Sequence, residues 1–141
     1  MRIVILCADP REQADLARKV DEKLLEPGEK IILISLLGGP ICLAHPETLK
    51  VEADCLLKQI RDAQTIFPDA DEVVLIGHEC GFYSAVLGMM TSTEAKKRDL
   101  AEGANFLVNN ICDIAVSAHF DISTEDEVAF EEIVCEFDPV M

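Results

Sequence analysis

With 141 residues, half of them hydrophobic, the chain is long enough for one domain with a substantial core and too apolar for disorder. A formal net charge of −15 makes nucleic acid and anionic membranes poor partners, because phosphate contacts need clustered Lys and Arg. No apolar run approaches the roughly 18 residues of a membrane span, and Met1-Arg2 leads straight into a strand-like segment without a leader pattern, so a cytoplasmic protein is expected.

Residues 2–7 read as a short, fully buried strand. Asp9 then suits a helix N-cap, Pro10 the first helical position, and Glu12 stands three residues after the cap. Leu16, Val20 and Leu24 recur at helical spacing until Pro27-Gly28. A second strand is expected over 30–37, ended by Gly38-Gly39-Pro40. That glycine pair reads as a turn, since the surrounding residues lack a phosphate-loop pattern. After a loop carrying Cys42 and His45, Pro46 opens a long helix with Leu49, Ala53, Leu56, Ile60, Ala63 and Phe67 on one stripe. A third strand spans 72–77, and a short helical piece runs from Tyr83 toward Met90. Thr91 with Glu94 suggests a capping box for a helix whose buried stripe is Leu100, Ala104, Leu107 and Ile111. Ile114 to Ile122 alternate as a strand with unlike faces, and an acidic turn near Thr124-Glu125-Asp126 leads to a last strand. Its alternation slips at Glu131-Glu132, which suggests a bulge.

The order βαβαβαβ with a closing antiparallel strand predicts a single α/β domain over residues 1–141. Its form is a Rossmann-like three-layer sandwich with a mostly parallel sheet of order 2-1-3-4. Right-handed crossovers put the second and third strands on opposite sides of the first. They create a crevice between the carboxyl ends of strands one and three.

Two strings fall at that crevice: Cys7-Ala8-Asp9-Pro10-Arg11 and Gly77-His78-Glu79-Cys80-Gly81. Zinc favours thiolate and imidazole, and its catalytic sites use three protein ligands with one position open. Cys7, His78 and Cys80 fit that count. Asp9 is placed to orient a metal-bound hydroxide and Arg11 to hold Asp9 through a two-point ion pair. Among the six cysteines, Cys42 is a candidate fourth ligand, while Cys55, Cys112 and Cys135 read as small buried hydrophobes, all reduced. His119 falls on the polar face of the fourth strand. Phe82 and Tyr83 suit either the wall of an apolar pocket or simple packing.

Cys-x-Asp-x-Arg after a first strand and Gly-His…Cys-Gly after a third resemble the signature of β-class carbonic anhydrases, over most of the chain. The resemblance implies Zn2+ on Cys7, His78 and Cys80, a catalytic Asp9–Arg11 dyad, reversible hydration of carbon dioxide to bicarbonate by zinc hydroxide, and a homodimer or higher homo-oligomer. Some relatives in that family act on carbon disulfide or carbonyl sulfide. Two departures stand out. One residue, Glu79, separates His78 from Cys80 where the family has two, so the ligands converge only if this stretch is extended or turned. Ser35-Leu36-Leu37-Gly38 replaces the family's Arg-Asn-Ala-Gly. The alternative is a catalytically inactive zinc-binding or interaction module on the same fold.

Overall fold

The computed structural model describes residues 1–11 and 13–135. Ten elements follow one another: β1 (Arg2–Cys7), α1 (Gln13–Lys23), β2 (Ile31–Leu36), α2 (Ile41–Ala44), α3 (Lys50–Ile66), β3 (Glu72–Gly77), α4 (Phe82–Ala85), α5 (Thr93–Asn110), β4 (Ala115–Asp121) and β5 (Phe130–Ile133). They form an α/β sandwich on a five-stranded sheet of order β2-β1-β3-β4-β5, the expected order extended by the closing strand. The first three pairings are parallel and β4–β5 is antiparallel.

The two faces of the sheet are covered unequally. Alternate residues of a strand point to opposite sides, so Ile3, Ile5 and Cys7 of β1 face one way and Val4 and Leu6 the other. The first set joins Val73 and Leu75 of β3, Phe120 of β4 and the buried stripes of α2, α3 and α5 in the larger core. The second set meets Val74, Ile76 and, among the described residues, the single helix α1 through Leu16 and Val20. β1 and β3 are covered on both faces and, after their first residues Arg2 and Glu72, carry no charged residue, as central parallel strands require.

Several boundaries differ from the sequence reading. Residues 10 and 11 form a turn before α1, which runs from Gln13, and the Asp9 carboxylate accepts the Arg11 backbone N–H as well as the Arg11 side chain. The proposed partner in that capping box, Glu12, lies outside the described residues. Pro46 does not open a helix either: one turn, α2, forms first, and α3 starts at Lys50 after backbone bonds from Thr48 and Leu49 to the His45 carbonyl. Ser92, not Thr91, caps α5, its hydroxyl accepting the Ala95 N–H at 3.2 Å. The apparent slip near Glu131 is not a bulge, because β5 pairs with β4 in unbroken register from Phe130 to Ile133. Phe130 and Ile133 serve opposite faces of the sheet, one against α1 and the other in the larger core.

Candidate metal centre

Three chain segments meet at the carboxyl ends of β1 and β3. Cys7 is the last residue of β1, and the Ala8 N–H donates to the Leu36 carbonyl at 2.8 Å. The Gly39 N–H donates to that same carbonyl at 2.8 Å, folding the turn after β2 across the end of β1. This crossing demands glycine. Gly39 has φ +55°, and a Cβ there would stand 2.9 Å from the Cys7 backbone nitrogen and 3.0 Å from the Leu6 carbonyl carbon. The third segment is residues 78–80, which leave β3 without helical hydrogen bonding before α4 begins at Phe82.

That irregular stretch resolves the spacing question. In extended chain, residues two apart point to the same side and the one between points away. His78 and Cys80 turn inward together. Glu79 turns outward, where its carboxylate accepts hydrogen bonds from the Thr93 hydroxyl and the Lys96 ammonium at the start of α5. Those two donors, Lys96 foremost, hold the Glu79 carboxyl below its ordinary pKa. The ligand-type atoms of Cys7, His78 and Cys80 all lie within 4.8 Å of one another.

The cluster fits a tetrahedral metal. Two thiolates about 2.3 Å from zinc and subtending the tetrahedral angle stand about 3.8 Å apart. The Cys7 and Cys80 sulfurs are 3.9 Å apart. Both thiols are buried and His78 is nearly so, which leaves the group sheltered from bulk water. The Cys7 thiol is pushed strongly down, first by a hydrogen bond from Cys80 and then by His78, with the backbone N–H groups of Asp9 and Gly38 also directed at its sulfur. The Cys80 thiol is pushed up, because its proton is the one shared and its site is desolvated. The two sulfurs share one proton, with Cys7 the more acidic partner. A metal held here would replace that proton and take both sulfurs as anions.

Beside this cluster stands the Asp9–Arg11 pair. Asp9 Oδ1 accepts the Arg11 backbone N–H at 2.9 Å and Nε–H at 3.0 Å, and Oδ2 accepts Nη2–H at 2.7 Å. The Arg11 side chain is exposed and Asp9 mostly covered. These bonds bring the Asp9 carboxyl down to about 2, so it is ionised at any physiological pH. Next to His78 and Cys80 a cavity of about 20 Å³ opens, room for one water-sized molecule, with Gly77, Leu100 and Phe120 on its apolar side and Tyr83 across it. Phe82 packs elsewhere, against Gly38, where a Cβ would come within 2.9 Å of its ring.

Cys42 is not part of the cluster. It is buried with its sulfur directed at the Gly39 carbonyl, 3.8 Å away, and burial pushes its thiol up to about 12. Cys55 and Cys112 are exposed rather than buried, since they fall beside the inward stripes of their segments, and Cys135 is partly buried. His119, on the polar face of β4, is half-buried, and desolvation lowers its pKa.

One polar group behind the site was not anticipated. Asp99 Oδ2 accepts the Tyr83 hydroxyl at 2.7 Å and lies 2.9 Å from His45 Nε2. Burial and this carboxylate together push the Tyr83 hydroxyl up, so it stays a donor. A signal exists in the sequence. Lys96, Asp99, Leu100, Gly103 and Leu107 share one helical face, and two charged residues on an otherwise inward stripe need partners there.

No known family, curated protein or solved structure shows a significant match to this chain. Among the described residues no helix is long and apolar enough to cross a membrane.

Proposed function

We propose that this protein is a zinc-dependent, carbonic anhydrase-like lyase that hydrates carbon dioxide reversibly to bicarbonate. The observation that carries the reading is the convergence of Cys7, His78 and Cys80 at tetrahedral sulfur spacing, with Cys7 two residues before an Asp9 carboxylate that is within electrostatic reach of His78. Three protein ligands leave a tetrahedral cation one open position. Zinc bound there supplies the Lewis acidity that makes hydroxide available near neutral pH.

The chain's own residues do the rest. Asp9 Oδ2 takes one bond from Arg11, and a carboxylate oxygen can accept two. Its second lone pair would be available to accept a hydrogen bond from the attacking oxygen and so orient it toward the substrate carbon. Arg11 fixes the carboxylate plane through two side-chain donors and keeps it anionic, so Asp9 orients without taking the proton. The small cavity beside His78 and Cys80, with Gly77, Leu100 and Phe120 on its apolar side, admits only a very small molecule, so a small, linear, uncharged substrate such as carbon dioxide would need the site to open slightly. Carbon disulfide and carbonyl sulfide share that shape and are the competing substrates.

A homodimer belongs to the same proposal. β2 is an outer strand of the sheet, Leu33 and Leu37 are 47% and 65% exposed, and residues 31–46 carry no Asp, Glu, Lys or Arg. An uncharged, apolar outer strand invites pairing with a second copy. Light scattering should give twice the chain mass.

The decisive experiment combines metal analysis with stopped-flow carbon dioxide hydration. The expected result is one zinc per chain and turnover that falls about 10- to 100-fold in Asp9→Asn, the range for removing a group that orients a metal site. Zinc binding with no hydration of any of the three substrates would favour the inactive binding module. The one-residue spacing of His78 and Cys80 gives that reading its footing, since it alters the approach to the open position.

A further inference from the structure

The Cys7 and Cys80 sulfurs stand in van der Waals contact at 3.9 Å, on adjacent parallel strands' ends, with one of the two in an irregular stretch that can turn. We propose that these cysteines are also a peroxide-sensitive dithiol, and that closing the Cys7–Cys80 disulfide and holding the metal exclude one another. This rests on the metal-site reading above, and adds to it a redox control of occupancy.

Geometry supplies the exclusion. A disulfide brings its sulfurs to about 2.04 Å, about 1.9 Å closer than they stand. A tetrahedral cation needs them about 3.8 Å apart and both anionic. No arrangement satisfies both, and the present separation lies within reach of either. Access selects the oxidant. Cys7 is 2% and Cys80 9% exposed, so a bulky disulfide cannot reach them in line, whereas hydrogen peroxide is near the size of the adjoining cavity.

The chemistry balances with peroxide as the two-electron acceptor. One sulfur, as thiolate, attacks a peroxide oxygen. The O–O bond breaks, leaving a sulfenic acid and a hydroxide that takes up the thiol's released proton as water. The second sulfur attacks the sulfenyl sulfur, the S–O bond breaks, the S–S bond forms and a second water leaves. Two thiols and one peroxide become one disulfide and two waters. A metal holding both sulfurs removes the second nucleophile and blocks the sequence.

The test uses the full chain with the two exposed cysteines replaced, Cys55→Ser and Cys112→Ser, so that surface oxidation does not obscure the readout. Reduced protein, with and without zinc, is treated with hydrogen peroxide, and the links are mapped by mass spectrometry of unreduced peptides. The metal-free chain should give the 7–80 link, Cys80→Ser should abolish it, and dithiothreitol should restore zinc uptake. With free zinc at about one hundred times its Kd the link should form about a hundredfold more slowly, the fraction of sites left empty. Sulfinic acid without the link, or equal rates with and without zinc, overturns the proposal while leaving the metal site standing. Failure of the reduced chain to take up zinc overturns the metal-site reading and this proposal with it.

Discussion

Replacing Gly39 with alanine isolates what holds Cys7 in place. Gly28 and Gly39 both have positive φ, +76° and +55°, but a Cβ at Gly28 meets nothing within 4 Å, whereas one at Gly39 meets the backbone of Leu6 and Cys7 at 3.0 Å and 2.9 Å. Alanine in the left-handed region costs about 1–2 kcal/mol at either position. At Gly39 the added methyl also overpacks against main-chain atoms that cannot rotate aside, about 1–3 kcal/mol more. Gly39→Ala should therefore cost about 2–5 kcal/mol and Gly28→Ala about 1–2 kcal/mol. At about 2.1 cal/mol/K per residue, 141 residues unfold with about 0.3 kcal/mol/K, so the expected falls in Tm are about 7–17 °C and about 3–7 °C. The clash also pushes β1's last residue away from its partners, so zinc affinity should fall in Gly39→Ala and stay unchanged in Gly28→Ala. Thermal melts of the metal-free proteins and zinc competition against a chromophoric chelator read the two effects separately. Equal melting shifts with equal zinc affinity would refute the claim that the turn after β2 positions Cys7.

Glu79→Ala should retain zinc binding, because that side chain faces Lys96 and Thr93, whereas inserting one glycine after Glu79 should abolish it by turning Cys80 to the opposite side; metal analysis of both proteins checks this. Asp99→Ala strips the acceptor from Tyr83 and should cost about 1–3 kcal/mol in urea denaturation, while Tyr83→Phe, which keeps the packing, should cost about 1 kcal/mol. Arg2 donates to both Glu29 oxygens, at 2.6 and 2.8 Å, and holds that carboxyl down to about 2. A depressed carboxyl stabilises the fold fully above its unfolded pKa, about 4.3, and loses that contribution as pH falls through about 2. Glu29→Gln should accordingly cost about 1 kcal/mol at pH 7 and only a small part of that at pH 2, as urea titrations at both pH values would show.

The sheet was legible because its central strands are written without ambiguity. Ile3-Val4-Ile5-Leu6 and Val73-Val74-Leu75-Ile76 are too short for helices and continuous enough for strands buried on both faces, and right-handed crossovers then fix the order. The inward stripes of α3 and α5 were nearly as plain: the four residues expected on the α5 stripe are all buried, and of those expected on the α3 stripe all but Phe67, which is 40% exposed just past the helix end. Helix starts were not, because capping residues also have tertiary uses. Asp9 has the side chain of an N-cap and does accept the Arg11 backbone N–H, but the Arg11 side chain also binds the same carboxylate, a tertiary use that the capping pattern alone does not show. Pro46 suits a first helical turn, yet the chain must first carry Cys42 and Leu43 into the core through α2. The Asp99–Tyr83–His45 group was illegible from spacing alone, since its members come from three elements that only the folded chain brings together.

The spacing of His78 and Cys80 links site and scaffold more tightly than a helical arrangement would. On a helix, ligands three or four apart share a face and the residues between are scattered around the cylinder. Here strict alternation commits Glu79 to the opposite side, where it becomes the anchor. Its bonds to Thr93 and Lys96 tie the ligand stretch to the first turns of α5. Lys96 also lies over the Tyr83 ring, 5.6 Å from its centre, and Tyr83 binds Asp99 three residues further along the same helix. One helix end thus braces the ligand stretch from outside through Glu79 and its cavity wall from inside through Tyr83. A pair of ligands separated by a single residue in irregular chain has little local rigidity of its own. The bracing by α5 supplies it, and this explains why charged residues were placed on that helix's inward stripe.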